Sequence, residues 1–481
     1  MVAPTYKHLF IFLAQHILDF MKDYLPEDIE RFEVERKKCP NITESRVHHR
    51  RLGFTFSFAC EQYSLCRGSL TKWTEGFDIP DAVGKDPCAL LQNELDILAV
   101  PVLVTALVND TVGTLMSRSY TSPEHGTTLL GAIFGTGTNG AYVERLSNVR
   151  KLHQYPEFAD SQADDNMVVN TEWGGFDDEL SVLPTTPYDA ALDFASVNPG
   201  DQMFEKRISG MYLGEILRRA TVALMESKSF DMHVLSTSLL WQQWSLDTSF
   251  LSVIAADTGE NLSIVQAEVK RVSGTTHVSL SDCEAVKKIA EAIALRAARL
   301  SSVAIAAIII QSGRLTCDDA QIVGLTPSIP DLSIVPARPS QTTTVRPSAS
   351  FEASWYQGFE SVKTVISQGA SWIRRLTSFG LGFVDPNKSD CGDYVSACAS
   401  VERDVVPADD GVIDIGVDGS LIELYPGFES MTRSALKEIK EIGVAGERRI
   451  RIGLAKDGSG VGAALIARAA EQQEIQRAKH I

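Results

Sequence analysis

An α/β protein of two lobes is what this sequence predicts, on three observations: its length, its alternating strand-like and helix-like runs, and its ordinary globular composition. The 481 residues exceed what a single compact unit packs, since domains usually hold ~100 to 200 residues. A hydrophobic share of 44% with 22% charged residues excludes a disordered or fibrous chain and permits a sizeable core.

Each element follows from local pattern. Residues 6–25 carry Leu9, Leu13, Ile17, Phe20 and Tyr24 at helical spacing and stop before Pro26, which predicts a helix. Residues 34–50 are polar and basic without periodicity and read as a loop. β-Branched and aromatic runs at 51–58, 99–108, 129–134 and 167–171 end in polar or glycine-rich turns, as strands do. Long helices are expected at 203–225 and 284–311. Strands at 412–417 and 449–454 then precede a last helix from about Val461. Five prolines and nine serines or threonines within 326–350 predict a flexible linker. Beyond it Trp355, Phe359, Val362, Ile366, Ile373 and Leu376 share one helical face, which either docks on its own protein or, with Arg374 and Arg375 as basic support, meets a partner or a membrane surface.

Charge and cysteine usage narrow the function classes. Forty-five basic against 62 acidic residues give a net charge of -17, a field that repels nucleic acid and anionic lipid. Any phosphate must therefore be bound by a local arrangement. The eight cysteines lack the paired spacing of a zinc site or redox motif, and reduced thiols in the cytoplasm fit them best. The apolar run 303–310 falls short of the ~20 residues needed to span a bilayer, so no integral membrane contact is expected and a buried helix is.

The chemistry concentrates in four places. The strand 102–108 opens into Asn109-Asp110-Thr111-Val112-Gly113-Thr114, where a carboxylate is either a helix cap or a general base. Gly131-Ala-Ile-Phe-Gly135-Thr136-Gly137-Thr138-Asn139-Gly140 runs an apolar strand into a glycine-rich turn. Its N–H groups either cradle phosphate or simply close a hairpin. Glu172 ends a strand in Asn170-Thr-Glu-Trp-Gly174, and Glu205 stands at a helix start in Met203-Phe-Glu-Lys206. Each acid alone is more often a solvated charge.

Their order carries more than any one of them. LGFTFSF (52–58), KWTEGFD (72–78), LVNDTVGT (107–114), IFGTGTNGAYV (133–143), NTEWGGFD (170–177), FEKRISGMYLGE (204–215), IGVDGSLIELYPGF (415–428) and GLAKDGSGVGAALIA (453–467) together resemble the hexokinase family. Within that family the stretch after Asp414 is similar to the glucokinases of filamentous fungi. The resemblance covers residues 51–316 and 411–470.

It implies a two-lobed actin-like ATPase fold of ribonuclease-H-like lobes, with a small lobe from 1–108 plus 455–481 and a large lobe from 109–454. Residues 317–410 would be an inserted, partly disordered segment. It further implies ATP-dependent phosphorylation of a hexose, D-glucose first among them, by a cytoplasmic monomer using ATP and Mg²⁺. Asp110 would be the base. Asn109, Asn139, Glu172 and Glu205 would hold sugar hydroxyls, with Ser57, Thr74 and Glu75 reaching in from the small lobe. Gly135, Thr136 and Gly137 would meet the phosphates, and Gly419 and Ser420 the adenosine. Mg²⁺ would bridge the phosphates, with no protein metal cage.

Three departures from the family pattern set further expectations. The opening Asp-x-Gly-Gly-Thr-Asn motif, a second phosphate clamp, has no match, so the small lobe should be incomplete at its N-terminus and leave a raw sheet edge. Glu75 stands where the family has lysine. A like charge ~6 Å from the transferring phosphoryl group, at an effective dielectric of ~20, costs about 3 kcal/mol, roughly a hundredfold in rate. Ala59 replaces a proline and should loosen the loop beside the sugar. These departures keep two rivals in view: a catalytically impaired sugar sensor, and an N-acetylhexosamine kinase with a roomier pocket near 57–60.

Overall fold

The computed structural model describes residues 5–38, 49–122, 128–154, 166–315 and 411–479; the linker 326–350, the apolar face at 355–376 and the whole of 317–410 lie outside them. Among the described residues nine strands form three sheets. β1 (Arg50–Thr55) pairs in parallel with β4 (Val102–Val108), and β2 (Cys60–Ser64) pairs antiparallel with β3 (Arg67–Leu70). The third sheet has the order β7-β6-β5-β8-β9, from Asn166–Asn170, Thr138–Arg145, Leu130–Phe134, Ile413–Asp418 and Ile450–Leu454. Its β5, β6 and β7 run as an antiparallel meander, while β5, β8 and β9 are parallel. The parallel half accounts for the near-continuous apolar runs of β5 and β8, which helices cover.

Two hydrophobic cores result. The larger joins Leu130 and Phe134 of β5 and Ile415 and Val417 of β8 to the helices Gly210–Glu226 and Leu280–Gln311. That second helix is long and apolar enough to cross a membrane by length and composition, and most of it is buried in this core. The smaller core gathers Phe10, Phe56, Leu91, Leu95 and Val104 beneath the helices Tyr6–Tyr24 and Pro87–Ile97.

The join between the lobes is made by two helices that cross almost backbone to backbone. A Cβ on Gly462 would stand 1.9 Å from the Gly113 carbonyl oxygen, and one on Gly53 would stand 2.1 Å from that of Ala463. Only glycine permits such contact between helix Gly458–Lys479, helix Asp110–Thr121 and β1. Helix Asp110–Thr121 is further tied to the large sheet by Arg118, whose guanidinium donates to both oxygens of the buried Asp414 at 2.9 and 2.6 Å.

Three expectations are corrected. Residues 34–38 are helical, forming the last part of Pro26–Lys38. Only Phe32 of that helix is buried, so it has no amphipathic signature; Pro26 at its start, Glu27 and Asp28 in the first turn and Arg36 to Lys38 in the last favour helix through its dipole. The helix expected over 203–225 breaks at Ser209, which is extended, leaving Glu205–Ile208 and Gly210–Glu226. The break lets the Gly210 and Met211 N–H groups donate to the carbonyls of Gly135 and Thr136 at 2.7 and 3.1 Å. The last helix starts at Gly458 rather than near Val461.

Candidate active site

Strand β4 delivers Asn109 and Asp110 to the cleft floor. The Thr111 N–H donates to Asn109 Oδ1 at 3.0 Å and to Asp110 Oδ1 at 2.8 Å, so both side chains help cap the helix Asp110–Thr121. The cap and base readings therefore coexist: Asp110 keeps its other oxygen for the cleft and accepts a hydrogen bond from Ser57.

The hairpin between β5 and β6 turns through Gly135-Thr136-Gly137 and pairs Phe134 with Thr138. Glu205 Oε2 accepts the Thr138 N–H at 2.9 Å, whereas its Oε1 has no partner although the residue is only 5% exposed. An orphaned buried carboxylate oxygen is costly unless a ligand satisfies it. Glu172 follows β7 with φ 49, in the left-handed region, and its Oε1 accepts from Asn170 at 2.7 Å and Asn139 at 3.3 Å. Trp173 beneath it is buried and donates its indole N–H to Thr138 Oγ1 at 3.0 Å. Glutamate, asparagine and turn are thus one cross-braced unit.

From the small lobe come Ser57, Thr74 and Glu75. The Ala59 carbonyl in this wall accepts both the N–H and the hydroxyl of Thr71, at 2.9 and 2.8 Å. Phe56, Phe58, Trp73 and Phe77 pack edge-to-face or stacked behind it.

These pieces line a small polar cavity with Ser57, Thr74, Glu75, Asn109, Asp110, Gly137, Asn139, Glu172 and Glu205 around it. Every residue that sequence reasoning assigned to the sugar is in that lining. Ile133, Thr138, Gly174 and Gln202 complete it, and sequence reasoning missed all four. Gln202 is buried with φ 58 and lies directly before the Met203-Phe-Glu motif; neither its burial nor its left-handed backbone is announced by the residues around it.

On the other side of the glycine turn lies a larger cavity. Thr136 and Ser420 line it, together with Met211, Trp244, Val253, Leu421 and Leu424. Gly135 and Gly419 line neither cavity. They stack behind the turn, where a Cβ on Gly419 would come within 2.5 Å of the Phe134 carbonyl.

Electrostatics set the small cavity apart. Burial, helped by Asp110 and Glu172, raises Glu75 to about 7. Burial raises Glu205 to about 8 against its bond from Thr138, and raises Asp110 and Glu172 above the usual carboxylate range. Among the described residues lining either cavity there is no lysine or arginine. Nor do any three His, Cys, Asp or Glu among the described residues stand ready to hold a metal ion. Such a lining offers many acceptors to hydroxyl groups.

The chain is similar in sequence and fold to known proteins. One hexokinase family pattern matches residues 129–331 and 393–469, and a second hexokinase pattern matches residues 1–120. The chain is 40% identical to a glucokinase of Aspergillus niger, over 99% of this chain and 79% of that protein. It is 33% identical to glucokinase-1 of Saccharomyces cerevisiae, over 96% and 75% of the two chains. The solved hexokinase of Schistosoma mansoni complexed with glucose superposes with a TM-score of 0.64 at 26% identity, covering 96% of this chain and 75% of that one.

Proposed function

The chain belongs to the hexokinase family, and from that premise we propose a role for each residue of its cleft. Its activity is ATP-dependent phosphorylation of a hexose, with glucose as the acceptor. One observation carries the assignment of roles: a polar, acid-lined cavity and a larger, partly apolar one meet at the turn Gly135-Thr136-Gly137.

Asp110 takes the proton from the sugar hydroxyl as that oxygen attacks phosphorus. Its raised pKa makes it a better proton acceptor than an exposed aspartate, and helix Asp110–Thr121 holds it in place. Asn109, Asn139, Glu172 and Glu205 bind the remaining hydroxyls, the free Oε1 of Glu205 accepting one of them. Ser57 and Thr74 close from the small lobe, displacing water that competes as acceptor. Thr136 and Gly137 form the wall toward the phosphates and Ser420 the adenosine side, while Gly135 and Gly419 pack against each other and hold the backbone of the turn behind them. Met211, Trp244 and Leu421 offer the base an apolar bed. Mg²⁺ carried in with the nucleotide would supply positive charge that no basic side chain lining these cavities provides. The same reading divides the lobes at 108/109 and 454/455, and sets the chain in the cytoplasm as a monomer.

A coupled glucose-phosphorylation assay on the purified chain, with glucose binding measured by calorimetry, tests this reading. Turnover with saturable binding is expected. One observation favours a second reading, that of a sugar sensor: Glu75 fills the corner beside Gly137 with a carboxyl where the phosphoryl group must pass. Binding without turnover would select it. Preference for N-acetylglucosamine over glucose in the same titration would select the third.

A further inference from the structure

The segment from Thr71 to Ile79 crosses the cleft and touches the large lobe at three points. Lys72 Nζ donates to both oxygens of Asp201 at 2.9 and 3.0 Å. Gly76 approaches the methyl of Met211. Between them Glu75 Oε1 lies 2.1 Å from where a Cβ on Gly137 would stand, and Glu205 Oε2 lies 2.9 Å from the same spot. Two carboxylates therefore converge on one corner.

Nothing in the loop lets Glu75 turn away cheaply. Its φ is 54 and that of Gly76 is 75, the Trp73 indole donates to the Ile79 carbonyl at 2.7 Å, and Trp73 stacks on Phe77. Asp110 faces Glu75 from helix Asp110–Thr121, Glu172 from the end of β7, and Glu205, with its unpartnered Oε1, from helix Glu205–Ile208. The Tyr212 phenol lies behind them on helix Gly210–Glu226. The cation on Glu75's own segment, Lys72, is engaged with Asp201 at the cleft mouth. An ionised Glu75 would meet three acids and no lining cation; a neutral carboxyl fits and has a proton to donate.

We propose that Glu75 is a positioning residue that couples closure of the cleft on a hexose to the uptake of a proton, its neutral form being the one that seats against Gly137 and Glu205. The proposal rests on the hexose reading above. In an open, hydrated cleft Glu75 titrates near its ordinary value of 4.5, and burial in the closed cleft raises it to about 7. A group whose closed-state value is the higher one leaves closure unpenalised below 4.5. Closure then weakens about tenfold per pH unit up to about 7 and levels off once both states are ionised.

Calorimetric titration of the full chain with glucose, at pH 6 in two buffers of different ionisation enthalpy and then from pH 5 to 8, reads this directly. The wild type should take up about one proton per glucose and lose affinity about tenfold per unit between pH 5 and 7, with a plateau above. Glu75→Gln, neutral at every pH, and Glu75→Ala should each take up about one proton fewer than the wild type, whatever Glu205 and the other buried acids contribute being common to all three chains, and should lose about one power of ten per pH unit of the wild type's dependence between pH 5 and 7. Wild-type binding without proton uptake, or full uptake persisting in both variants, overturns the proposal. Absence of glucose binding in all three chains at every pH removes the hexose reading beneath it.

Discussion

The larger lobe buries its central strands on both edges, whereas the smaller leaves its first strand half-covered. β5 and β8 each have a bonded neighbour on either side, and β8 is buried from Ile413 to Val417. β1 is bonded only to β4 among the described residues, and from Arg51 to Thr55 it is half-buried. The division of labour follows from the difference. Asn139, Glu172 and Glu205 are braced on a rigid frame, while the small lobe supplies closing contacts through Ser57, Thr74 and Glu75. Recognition should reside in one lobe and commitment to reaction in the other.

Asp110→Ala breaks this comparison most severely if it is mistaken. Turnover should fall by about a thousandfold or more, with glucose affinity within about tenfold of wild type by calorimetry. Loss of binding in step with turnover would show that Asp110 acts chiefly as a structural cap. Next in size is the joint between the lobes. Gly462→Ala forces a Cβ into the Gly113 carbonyl, and urea unfolding should show a loss of about 3 kcal/mol with the large-lobe core the last to open.

Glu75→Lys sharpens the comparison. A cation in place of a seated neutral carboxyl beside Glu205 and Gly137 adds a Coulomb attraction to the incoming phosphate, so kcat should rise about tenfold or more, and a fall would refute the charge argument. Lys72→Ala should matter least. Its bond to Asp201 is solvent-exposed on both sides, so glucose affinity should weaken by about threefold, and the loss should shrink as salt is added.

Much of this site was legible in the chain because its residues lie where strands end: Asn109 and Asp110 after β4, Glu172 after β7, the glycine turn after β5. Strand ends are marked by the change from apolar to polar residues, and that mark survives without coordinates. What escaped notice depends on distant partners. Ser209 is extended because its neighbours bond to Gly135 and Thr136, some seventy residues away, and nothing local in an otherwise helical pattern announces it. Gln202 enters the cavity by virtue of the loop it closes, and Trp244 and Val253 reach the second cavity from a stretch with no motif of its own. Helix Pro26–Lys38 hid because charge at its ends, not periodic burial, supports it.

A crystal structure of the chain with glucose tests the central claim most directly. The account predicts one sugar in the cavity between Ser57 and Glu205, its reacting hydroxyl within hydrogen-bond distance of Asp110 and turned toward Gly137, with another hydroxyl on Glu205 Oε1. Glucose seated elsewhere, or held there with every hydroxyl out of reach of Asp110, would contradict it.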